Sequence, residues 1–95
     1  MSLTQSQKIE GNVEQCLRKL TNALGRYDHE VKDGQIVVDD RGHRVIIELT
    51  YTGDREVGSL DLPMTRVDYA FEGHSQEEMN EFMSDLSQHM VRTGG

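Results

Sequence analysis

RVIIELTY, residues 44–51, decides how this chain is read. Val45, Ile47, Leu49 and Tyr51 alternate with Arg44, Ile46, Glu48 and Thr50. A period of two sends the first set to one face of a sheet, toward a core. β-branched and aromatic side chains suit that pleated, half-buried surface. Ile46 interrupts the polar set, so the second face is not wholly wet.

Working upstream, Tyr27–Lys32 and Gln35–Asp39 flank Asp33-Gly34. Asp-Gly is a strong two-residue hairpin signal, because a type I′ turn needs positive φ twice. Asp40-Arg41-Gly42, with glycine last, suits a three-residue turn into the central strand. Downstream, Thr52-Gly53-Asp54 reads as a turn and Glu56–Leu62 as a weaker strand, thinned by Gly58 and stopped by Pro63. Arg66–Glu72 alternates again, with Val67, Tyr69 and Phe71 on one face.

Helical periodicity brackets these strands. Ile9, Val13, Cys16, Leu17, Leu20 and Leu24 form one apolar stripe, so the spacing predicts a helix over 4–24 closed by Gly25. Ser75 and Glu78 form a capping box. Met79, Phe82, Met83, Leu86 and Met90 continue from it, predicting a last helix to about Arg92 and a fraying tail at 93–95. The fold expected over 1–95 is therefore a single α+β domain. It has an N-terminal helix, a five-stranded antiparallel β-meander and a C-terminal helix, with both helices on one sheet face.

The hairpin registers carry a further expectation. A two-residue turn at 33–34 pairs Val31 with Ile36. A three-residue turn at 40–42 pairs Val37 with Val45 and Ile36 with Ile46. Val37, Val45, Ile47, Leu49 and Tyr51 then face the helices, while Val31, Ile36, Val38 and Ile46 face away. Those four are the expected self-association face of a homodimer, against the alternative of an ordinary small surface patch.

Composition narrows the function. The net charge of −7 argues against non-specific nucleic-acid or membrane binding, which needs basic surface. A single cysteine makes no intrachain disulfide, and Cys16 on the apolar stripe reads as a buried thiol. No apolar run reaches the ~18 residues of a membrane span, and the default compartment is the cytoplasm. No nucleophile elbow, phosphate-cradling loop or paired-cysteine spacing is present, so no catalytic residue, cofactor or metal set is assigned. The histidines at 29, 43, 74 and 89 are scattered and read as surface or turn residues.

The sharpest charge feature is the last helix. Glu77, Glu81 and Asp85 recur every four residues opposite its apolar stripe, and Glu78 adds to them. This surface suits a basic protein partner or, alternatively, weak divalent-cation binding; its plain reading is a solvated helix face. The helix–sheet–helix order, the acidic balance and the rhythm of Asp28–Ile47 resemble frataxin, an acidic iron-binding family of iron–sulfur assembly. The family's strand tryptophans have no counterpart here, so the resemblance implies architecture and no ligand set. The leading expectation is a non-enzymatic protein-interaction module.

Overall fold

A computed structural model describes residues 3–93, with side chains through Met90. The elements run β1 (Leu3–Glu10), α1 (Val13–Ala23), β2 (Asp28–Lys32), β3 (Gln35–Asp40), β4 (His43–Val57), β5 (Leu60–Glu72) and α2 (Gln76–Thr93). All five strands join one antiparallel sheet in the order β1-β5-β4-β3-β2. The α+β class and the five-stranded antiparallel sheet stand.

The chain opens on a strand, not a helix. Residues 3–10 pair with β5 from Leu3 opposite Phe71 to Glu10 opposite Met64. Thr4 to Lys8 contain no apolar residue, so a helix there would have no stripe to bury. As a strand they find partners on β5. Ser6 Oγ donates to Asp68 Oδ1 at 2.6 Å, and Gln7 Nε2 donates to the Tyr69 hydroxyl at 2.5 Å. Gly11, at φ +127°, breaks the extended run. Asn12 then caps α1: its Oδ1 accepts from the Gln15 N–H at 2.8 Å, and Gln15 Oε1 accepts from the Asn12 N–H at 2.9 Å. The expected helix over 4–24 thus shrinks to 13–23 and ends on Leu24, not on a left-handed Gly25.

Only β2 to β5 form a meander; the last strand, β5, comes back to lie beside β1, which leaves β1 and β2 at opposite edges of the sheet. Glu56–Leu62 is not a separate strand. It is the tip of one long β4–β5 hairpin that reverses at Gly58-Ser59. Thr52-Gly53-Asp54 is not a turn either. The register shifts between Tyr51 and Gly53, and Gly53 adopts φ +101°, which leaves a bulge in β4. Past that bulge the hairpin projects as an arm. Pro63 does not stop the strand: it lies inside β5 opposite Asp54 of β4, and on its other side its carbonyl accepts the Gly11 N–H at 2.7 Å.

The β2–β3 turn forms as expected, with Asp33 and Gly34 at φ 39° and 76° and Val31 opposite Ile36. The next turn differs. Arg41 and Gly42, at φ 55° and 86°, make a two-residue turn closed by Asp40 opposite His43. Asp39 Oδ1 accepts the Gly42 N–H at 2.9 Å and holds it. The expected pairing is therefore off by one. Val38 faces Val45 and Ile36 faces Ile47, and a one-residue slip moves a strand's side chains to the opposite face.

Ile36, Val38, Val45, Ile47, Leu49, Val67, Tyr69 and Phe71 share one buried cluster with Cys16, Leu20, Ala23, Leu24, Met79, Phe82 and Leu86 of the helical segments. Burying each large member contributes about 1.5–3 kcal/mol before chain entropy is counted. Phe71 meets Phe82 edge-on with centroids 5.6 Å apart, which locks α2 to the sheet. Tyr51, assigned by alternation to the core, is 50% exposed because it lies where the arm begins.

Candidate functional site

The four residues expected to form a self-association face do not share a surface. Ile36 and Val38 are completely buried in the core, as the register shift requires. Val31 lies on their face of the sheet but on edge strand β2, and is 43% exposed. Ile46 alone points to the opposite face. There one cross-strand row runs Thr4, Ala70, Ile46, Val37, Glu30. Its apolar part is three half-buried side chains, flanked by a polar row of Ser6, Asp68, Glu48, Gln35 and Lys32.

The carboxylates of α2 are largely engaged. Glu78 accepts the Ser75 N–H at 2.9 Å while its own N–H donates to Ser75 Oγ at 3.1 Å. That backbone bond holds its carboxyl below the usual range. Glu81 lies 3.3 Å from the Arg41 guanidinium. Asp85 accepts from Arg26 at 2.7 Å and from the Tyr27 hydroxyl at 2.8 Å, and His89 lies 3.5 Å away. Burial alone would raise Asp85, but these donors outweigh it and hold the carboxyl low. Burial and the bond to Asp85 push Tyr27 up to about 12. Glu77 stays exposed beside Asn80 and Ser84. The cations that meet these acids come from the residues after α1 and from the β3–β4 turn. Among the described residues no three His, Cys, Asp or Glu side chains are placed to hold a metal ion.

His74, read as a surface residue, is buried. Its Nε2 lies 3.0 Å from Asp40 Oδ2, with side-chain exposures of 0% and 4%. Phe71 packs edge-on to its ring at 5.1 Å and His43 tilts against it at 5.3 Å. Asp40 also faces the Arg41 guanidinium at 3.4 Å. His74 Nδ1 has no hydrogen-bond partner among the described residues. The pair is 34 residues apart in sequence, and no spacing rule could have joined it.

A second feature was half-legible. β1 ends the sheet, so one side of its backbone has no strand neighbour among the described residues. Over its inner face lies a groove of about 330 Å³ lined by Gln7, Ile9, Lys19, Met83, Leu86 and Met90. The methionines of the α2 stripe divide between core and surface. Met79 is core, while Met83 and Met90 are half-buried and line this groove. The edge strand itself was missed because residues 4–8 were assigned to a helix.

Comparison with known proteins adds no relative: no family model, curated protein or solved structure matches this chain. The frataxin-like order also fails on topology, since a strand precedes α1 and pairs with β5. No helix among the described residues is long and apolar enough to cross a membrane.

Proposed function

We propose that this protein is a non-enzymatic interaction module that takes up an extended segment of another protein along β1. Both helices lie over one sheet face in this reading, and α2 forms the far wall of the receiving groove. The single observation that carries it is an unpaired edge strand running beside an apolar groove. Strand addition uses both parts: the open backbone edge supplies hydrogen bonds, and pockets beside it select alternate side chains. β1 also lacks the devices that keep edges closed. It has no proline, no bulge, and Lys8 as its one lysine. The compartment consistent with the single free thiol is the cytoplasm.

Backbone hydrogen exchange tests this. On adding a synthetic strand-forming peptide with alternating leucines, outward amides of β1 should slow, while those of edge strand β2 should not. Unchanged β1 exchange at saturating peptide would discard the proposal.

A second reading keeps the homodimer, on the half-buried row of Val37, Ile46 and Ala70. Sedimentation at micromolar concentration decides it: a dimer abolished by Ile46→Glu supports it, and a wild-type monomer removes it. An acidic-helix partner would rest on Glu77, with Glu78, Glu81 and Asp85 held by internal bonds.

A further inference from the structure

Resting on that reading, we infer that the segment received by β1 is acidic, with carboxylates flanking the aliphatic residues that enter the groove. Residues 3–26 hold four cations (Lys8, Arg18, Lys19, Arg26) against two carboxylates (Glu10, Glu14), in a chain whose net charge is −7. Arg18 is spent on Glu14 at 3.8 Å and Arg26 on Asp85 at 2.7 Å. Lys8 and Lys19 have no carboxylate partner among the described residues; Glu10, two residues from Lys8 on the outer face, has no cation partner there either, so the edge keeps an excess of one positive charge.

Those two lysines sit on opposite faces of the same edge. Lys8 alternates with Gln7 and Ile9 and therefore projects from the outer face of β1, opposite Arg66. Lys19, on α1, lines the groove over the inner face and donates to the Glu10 carbonyl at 3.3 Å. A strand lying along β1 passes between them, and its side chains alternate between the two faces. Carboxylates at neighbouring positions would then meet a lysine on each side. Unpaired charges beside a forming interface set partner choice and on-rate more than raw affinity. The apolar wall of Ile9, Met83 and Leu86 takes the aliphatic side chain, and methionine adapts its shape to leucine, isoleucine or valine.

Net charge alone makes the opposite forecast, since a −7 protein attracts basic peptides. The two are separated by fluorescence anisotropy with a pair of labelled peptides, Asp-Glu-Thr-Leu-Thr-Leu-Asp-Glu and its Lys-Lys-Thr-Leu-Thr-Leu-Lys-Lys counterpart, which carry charge on both faces of the added strand. The acidic peptide should bind at least about tenfold tighter at about 0.05 M salt, and the gap should close near 0.5 M. The double variant Lys8→Glu, Lys19→Glu should invert the preference, and Lys8→Gln, Lys19→Gln, which keeps a donor for the Glu10 carbonyl, should close the gap between the two peptides. Equal binding of both peptides, or tighter binding of the basic one, overturns the charge inference and leaves strand uptake standing. Binding of neither peptide overturns both.

Discussion

At the scale of single residues, the buried Asp40–His74 pair is the most consequential contact. Two polar side chains withdrawn from water satisfy each other, and little else satisfies them. Removing one member of such a pair leaves the other with its full desolvation penalty. Asp40→Ala should therefore lower stability by about 2–4 kcal/mol, since it strips His74 of its only bond and Arg41 of a neighbour. Asp40→Asn keeps an acceptor and should lose much less. Urea unfolding midpoints compare the three chains; equal losses for both variants would refute this account. Neither residue could be paired from the sequence. Asp40 looked like part of a turn and His74 like a loop residue before a cap, and only the β3–β4 turn swings Asp40 toward the start of α2.

At the scale of elements, two local signals contended for residues 4–24, and the longer periodicity was the wrong guide. Ile9 fits the helical stripe and the inner face of a strand equally well. What separates them is Gly11, whose φ of +127° lies outside what a helix or most L residues accept. A Cβ there would also meet Gln15 Cβ at 3.3 Å and Cys16 Sγ at 3.4 Å. Gly11→Ala should lower stability by about 1–3 kcal/mol, where the same change in a helix interior would raise it by up to ~1 kcal/mol. A thermal melt decides the sign, and a stabilised variant would restore the continuous helix. The capping box Asn12/Gln15 was in view all along, as legible as the Ser75/Glu78 box that correctly opened α2. The β3–β4 turn shows the same limit. Arg41 is an uncommon choice at positive φ, so a three-residue turn looked better than the two-residue turn that forms. That one slip moved Ile36 and Val38 from a proposed interface into the core.

At the scale of the whole molecule, a polar clasp ties distant parts of the chain together. Arg26 and Tyr27 follow α1, Asp85 and Glu81 lie on α2, and Arg41 closes the β3–β4 turn between them. Its titration bounds the pH range of the fold. Tyr27 is raised from 10.0 to about 12, so the native state holds that proton more tightly than the unfolded chain. The stability it contributes is whole below pH 10 and is lost as pH climbs toward 12. Tyr69, raised to about 12 mainly by burial, adds to the same alkaline loss. Asp85 is lowered, so its contribution is present above the usual carboxylate range and fades as acid protonates it. Tyr27→Phe should flatten the alkaline limb of a stability–pH curve, and Asp85→Asn the acidic limb. An alkaline limb identical in wild type and Tyr27→Phe would show that the clasp hydroxyl is not linked to folding. The sequence by itself determined what is local. Alternation set the strand faces within each strand, Asp-Gly set one hairpin, and Ser75 and Glu78 set one helix start. Tertiary structure alone decided which strand begins the sheet, which edge stays open, and which polar groups are buried together. Those choices rest on pairings 34 to 62 residues apart, where a shift of one residue reverses a face and leaves the local periodicity untouched.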